Sequence, residues 1–196
     1  MNPSYTLPES SQYISMRVHG TSAHIHSDPA DMPVKQVRIT YSSGGTIVES
    51  NYPAQIGVYF SIPTPFQVEK RSSLFTLISR IFTRDQVDRV FEGLHLRVVR
   101  VEIYLGSQRG VNLGELEVMD GSKKLASAAV STIPVIDAST DPYQEKSSGT
   151  IRYDINREVD TALGIKLTAG FSNWNFDENQ LHLIAAKAIF ARSKKA

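Results

Sequence analysis

The chain has 196 residues, 41% hydrophobic and 21% charged, and its 21 basic and 20 acidic side chains leave a net charge of +1. That length and composition suit one globular domain with its own core, and the balanced charge gives no push toward nucleic acid or a membrane surface. No cysteine is present, which excludes disulfides, thiol nucleophiles and cysteine-based zinc sites.

No apolar run approaches the roughly 18–20 residues of a membrane helix, so no stable membrane insertion is expected. The opening residues lack the charged lead and apolar core of a secretory signal. Residues 1–12 are polar and carry Pro3 and Pro8, and they are expected to form a flexible arm. Residues 13–191 then read as a single β-sandwich domain, and 192–196 as a short basic tail.

Within the domain, apolar and polar residues alternate with the period of two that marks a half-buried strand. Ile14, Met16 and Val18 give the first strand, and a short one is expected at 24–26. Val37, Ile39 and Tyr41 lead into the turn Ser42-Ser43-Gly44-Gly45, from which residues 46–49 return, a hairpin. Ile56, Val58, Phe60 and Ile62 share one face of the next strand, which Pro63 and Pro65 end. Residues 72–92 instead show helical spacing in Leu74, Leu77, Ile78 and Ile81, with Ser72 or Ser73 as cap and Gly93 as stop. A helical insertion over about 73–92 follows from this pattern.

Residues 96–120 read as a strong hairpin. Val99, Val101, Ile103 and Leu105 alternate with Arg100, Glu102 and Tyr104, a Gly-rich connection spans 106–110, and Leu113 through Met119 alternate again. Residues 125–130 are read as strand, 133–149 as a long loop, 150–155 and 163–171 as strands, 172–179 as a turn around Trp174, and 181–190 as the last strand. About nine or ten strands with one helical insertion predict an all-β fold, an antiparallel β-sandwich or jelly roll.

Catalytic signatures are missing: there is no Gly-x-Ser-x-Gly, no phosphate-loop lysine motif and no His-Glu-x-x-His. Asp137, Asp141, Asp154, Asp160 and Asp177 could pair as acid and base, but loop aspartates more often make side-chain turns. His19, His24 and His26 cluster near Asp28 and Asp31 without a fixed third ligand, so surface histidines are expected, with no metal and no cofactor. The chain is therefore expected to be non-enzymatic. Arg80, Arg84, Arg97 and Arg100 fall in a basic span interleaved with acids, the candidate nucleic-acid surface. Trp174, between Asn173 and Asn175, suits either a sugar platform or a packed contact. Tyr52-Pro53 is similar to short budding motifs of enveloped-virus proteins.

The second half, roughly residues 94–192, resembles the single jelly-roll module of plant-virus coat proteins. In the bromovirus and cucumovirus group an arginine-flanked apolar strand, a Tyr-Asp strand and a closing Leu/His strand follow one another. Here the counterparts are residues 98–105, Ile151-Arg152-Tyr153-Asp154-Ile155 and Leu181-His182-Leu183-Ile184. The related 30K-type movement proteins end a strand in an aspartate followed later by a glycine, which Asp120 and Gly170 match. The resemblance implies a coat subunit that assembles with copies of itself, around single-stranded RNA, in a virion or the host cytoplasm. Subunit contacts would fall to Tyr5, Leu7, Asp137, Tyr143 and Trp174, and RNA to the four arginines. The arginine-rich arm of many such coats is missing, since Arg17 is the one basic residue among the first thirty-four. A movement or matrix protein binding nucleic acid or membrane stays open, as does a carbohydrate-binding β-sandwich module.

Overall fold

A computed structural model describes residues 13–27, 37–65, 94–133, 135–136 and 149–194. The expected helix at about 73–92, the arm with Tyr5 and Leu7, and Asp137, Tyr143, Arg80 and Arg84 lie outside the described residues. No helix among the described residues is long and apolar enough to cross a membrane.

Twelve strands are described: β1 (Tyr13–His19), β2 (His24–Ser27), β3 (Val37–Ser42), β4 (Gly45–Ser50), β5 (Ala54–Ile62), β6 (Leu94–Arg109), β7 (Val111–Asp120), β8 (Lys123–Ala129), β9 (Val135–Ile136), β10 (Gly149–Glu158), β11 (Leu163–Phe171) and β12 (Gln180–Lys194). They form two antiparallel sheets. The seven-stranded sheet runs β3-β4-β12-β6-β10-β9, with β1 also paired to β12. The five-stranded sheet runs β2-β5-β11-β7-β8. Within these, β4-β12-β6-β10 faces β5-β11-β7-β8, the strand order of a jelly roll, so the expected all-β sandwich is the fold observed.

The hairpin expected at 96–120 is not one. β6 belongs to the seven-stranded sheet and β7 to the five-stranded sheet, so the chain arches over the core at Gly110 instead of folding back beside itself. The turn around Trp174 likewise joins β11 and β12 across the two sheets. Alternation along a strand says which face is buried, and both a hairpin and an arch satisfy it. The Ser43-Gly44 hairpin between β3 and β4 does form, with Ser42 opposite Gly45. β12 runs on to Lys194, opposite Leu94, and so takes in residues expected as a basic tail.

The core lies between the sheets. Val98, Val101, Ile103 and Leu105 of β6 meet Ile165, Leu167 and Ala169 of β11, with Phe60, Leu116, Ile151 and Phe190 also fully buried. Each such side chain contributes about 1.5–3 kcal/mol over exposure. β12 is the hub of the larger sheet, pairing with β1, β4 and β6. Where its edge passes from β1 to β4, Gly20 and Gly45 approach so closely that an added Cβ would sit 1.9 and 2.1 Å from the Leu183 carbonyl oxygen.

Candidate functional site

One end of the sandwich carries an aromatic surface built by three connections. Gly110 turns the arch with φ of 55°, and a Cβ there would lie 2.2 Å from the Glu178 carbonyl oxygen. Buried Asn179 locks the β11–β12 connection in place. Its Nδ2 donates to the Ser50 carbonyl at 3.0 Å and the Asn173 carbonyl at 2.5 Å, and its Oδ1 accepts from the Asn173 N–H at 3.0 Å. Ser172 N–H donates to the Gly110 carbonyl at 3.1 Å. These bonds hold Trp174 out from the surface, 71% exposed, with Tyr52 edge-on at 4.7 Å between ring centroids. Arg38 covers the Phe176 ring at 4.6 Å and pairs with Glu49 at 3.6 Å. Beside Tyr52, a cleft of about 480 Å³ opens on the five-stranded sheet, with Gln55, Asn112 and Thr168 over Gly114 and Gly170.

A second exposed apolar feature runs from this end along β3. Ile39 lies opposite Val48 and Tyr41 opposite Thr46. Val48 and Thr46 are fully buried, so Ile39 and Tyr41 sit on the core-facing side of the sheet. They are nevertheless 38% and 58% exposed. Among the described residues β3 is an end strand of the larger sheet.

The other face of the seven-stranded sheet holds an ion-pair ladder. Buried Glu102 accepts from the Tyr104 hydroxyl at 2.5 Å, from Arg152 Nε at 3.1 Å and pairs with Lys187 Nζ at 3.3 Å. Burial works to raise the Glu102 carboxyl, but the Tyr104 hydrogen bond and the charges of Lys187 and Arg152 outweigh it and hold it below its ordinary range. Burial, with the bond to Glu102, pushes the Tyr104 phenol up. Arg17 lies over the Tyr104 ring at 5.1 Å. Arg100, a candidate RNA contact, is paired with Asp154 at 2.5 Å. This arrangement ties β1, β6, β10 and β12 together.

At the far end of the sandwich, Asp120 caps the β10–β11 turn. Oδ2 accepts from the Asp160 N–H at 2.8 Å, and Oδ1 from Thr161 N–H at 2.9 Å, Thr161 Oγ1 at 2.6 Å and Ala162 N–H at 3.2 Å. Burial again opposes ionisation, and these hydrogen bonds overcome it, so the carboxyl lies below its usual range. Glu117 pairs with Lys124 and with Lys166 at 3.1 Å. The charges of Glu117 and Asp120 are thus spent within the chain. Near Asp120, a cleft of about 340 Å³ is lined by Arg97, Lys123, Lys124, Leu125, Asn156, Arg157 and Glu158.

Of the sequence candidates, Arg97 and Arg100 are on β6 but serve different surroundings, and Trp174 is exposed as a contact residue must be. His24 and His26 do share β2, with His26 edge-on to Tyr59 at 5.2 Å. His19 contacts the Ser43 carbonyl at 3.0 Å instead of joining them. Among the described residues no group of three or more His, Asp or Glu could hold a metal. Ile39, Tyr41, Lys123 and Arg157 carry no site signal in the sequence, because each gains its surroundings from a strand other than its own.

No family model matches the chain, and no curated protein matches it. Among solved structures, TmCBM61 in complex with beta-1,4-galactotriose is similar over 90% of this chain and 91% of that one, at 11% identity and a TM-score of 0.36.

Proposed function

We propose that the chain is a structural subunit of the jelly-roll coat type, which assembles with copies of itself through the open β3 edge and the aromatic end. The uncovered core-facing row Ile39 and Tyr41 carries this reading. Apolar side chains on the core side of a sheet gain free energy when covered, and an edge strand, as β3 is among the described residues, offers backbone groups that a second copy can pair with. A net charge of +1 puts little repulsion between copies. Trp174, Tyr52 and Phe176 continue the same surface, and large aromatics held rigid are the residues that dominate protein contacts. Sedimentation velocity and negative-stain microscopy test the reading. Concentration-dependent, uniform particles are expected, and the double variant Ile39→Lys, Tyr41→Lys should leave monomer. A wild-type chain that stays strictly monomeric at high concentration sinks the proposal.

A second reading, a carbohydrate-binding module, is favoured by one observation: exposed Trp174, edge-on to half-buried Tyr52, beside a cleft presenting Gln55, Asn112 and Thr168. An aromatic face with nearby amides and a hydroxyl suits a sugar ring's apolar face and hydroxyls. Trp174 is the single tryptophan, so its fluorescence reports this surface directly. A saturable emission change with oligosaccharide, in a protein that stays monomeric, selects this reading; a change that tracks protein concentration selects assembly.

A further inference from the structure

We propose that the cleft among Arg97, Lys123 and Arg157 is a binding site for a phosphate group. It lies at the opposite end of the sandwich from the aromatic surface and does not rest on the assembly reading. Three observations converge on it. First, the Arg97 Nε is buried and has no hydrogen-bond partner. A buried guanidinium N–H without an acceptor is costly, and such a group in a folded protein points to an acceptor that arrives from outside.

Second, the cations are gathered without matching acids. Arg97 comes from β6, Lys123 and Lys124 from the start of β8, and Arg157 from the end of β10; Glu158 is the one acid in the lining. Lys124 is engaged with Glu117. For Arg97, Lys123 and Arg157 no carboxylate lies within ion-pair distance among the described residues. Glu158 stands opposite Arg97 in register but does not pair with it. Three unneutralised cations around one half-open cleft focus a positive potential into it.

Third, the backbone is irregular beside one of them. The β10 register shifts between Asp154 and Arg157, and Asn156 takes a left-handed φ of 58°. The shift puts Arg157 opposite Val98, where an unshifted ladder would have set it opposite Arg97. Bulges are over-represented at sheet edges and next to active sites. The guanidinium forks of Arg97 and Arg157 and the ammonium of Lys123 match the oxygens of a tetrahedral phosphate dianion.

The test is titration of the full chain with inorganic phosphate at constant ionic strength, chloride replacing phosphate, followed by calorimetry and melting. Saturable binding that raises the melting temperature is expected with phosphate and not with chloride. Lys123→Gln and Arg157→Gln, both exposed, should each weaken it about tenfold, the effect of losing one hydrogen bond to a charged group. Glu158→Gln should tighten it. Arg97→Met should abolish binding while the phosphate-free protein melts no lower than wild type, an outcome a purely structural arginine would not give. A parallel arm with an unstructured single-stranded oligoribonucleotide separates the sources of phosphate. Tighter binding than inorganic phosphate, with a steep salt slope, assigns the cleft to a nucleic-acid backbone; weaker binding assigns it to a small phosphorylated ligand. Equal responses to phosphate and chloride, or binding that survives in the Lys123→Gln, Arg157→Gln double variant, overturn the proposal.

Discussion

Replacing Asp120 by Asn separates its charge from its shape. The carboxylate is only 8% exposed and accepts four hydrogen bonds from the 160–162 turn. Asn can keep one acceptor oxygen near Thr161, but its NH₂ group must then face the Asp160 N–H, donor against donor. The variant loses at least one bond to a charged acceptor, worth about 1.5–3 kcal/mol, and weakens the others from charge-assisted to neutral, for a total of roughly 2–4 kcal/mol. For a chain of this size that lowers the melting temperature by roughly 4–16 °C. Urea unfolding measures it, with an unchanged slope showing that only stability moved. The pH dependence adds a second signature. Because the folded-state carboxyl is depressed below its ordinary 3.8, its contribution is complete above that value and is lost as pH falls through the folded value. The gap between wild type and Asp120→Asn should therefore close in acid. A difference under about 0.5 kcal/mol at neutral pH, the range of an ordinary surface change, or a gap that persists undiminished in strong acid, would refute the capping role.

Gly110→Ala should destabilise strongly, because φ of 55° and a Cβ 2.2 Å from the Glu178 carbonyl oxygen both resist a side chain; the Trp174 emission should shift with it, and an unchanged spectrum argues that the arch does not position the tryptophan. Asn179→Ala removes two donors and an acceptor from a fully buried side chain, and a loss of about 2–4 kcal/mol in urea unfolding is expected from the carbonyls and N–H left unpaired. Tyr104→Phe takes one of the partners of Glu102 and should cost about 1–2 kcal/mol by denaturant midpoint. With Glu102, Glu117 and Asp120 all depressed, wild-type stability should be level above their ordinary values and fall as acid protonates them; a melting temperature flat from pH 7 to about pH 2 contradicts all three.

The strands were legible because burial on one face writes a period of two into Ile56-Val58-Phe60-Ile62 or Leu163-Ile165-Leu167. Their pairing was not. The Gly-rich connection at 106–110 looks like a hairpin turn, yet what decides its course is Gly110 against residues 173–179, a contact no local pattern contains. Likewise Arg97 and Arg100 look equivalent in sequence, three positions apart on one strand. Asp154 neutralises Arg100, while Glu158, opposite Arg97 in register, does not pair with it and the Arg97 Nε is unpartnered; these neighbours lie on a strand more than fifty residues away. Trp174 stood out in the sequence because an isolated tryptophan among amides at a turn is unusual. Tyr41 did not, because its place in an alternating strand suggested ordinary burial.

The jelly-roll order explains why the two surfaces sit at opposite ends and why each is assembled from distant segments. Every arch between the sheets must pass an end of the sandwich, where the sheets stop shielding backbone groups and side chains must satisfy them. At one end Asn179 meets that need and Trp174 is exposed beside half-buried Tyr52. At the other, Asp120 meets it: the 160–162 turn hangs on its carboxylate, while the Val159 N–H reaches the Leu96 carbonyl at 2.9 Å. Those two anchors follow directly on the end of β10. Asp120, opposite Lys123 in register, spends its charge on the donors of this turn and pairs with none of Arg97, Lys123 and Arg157.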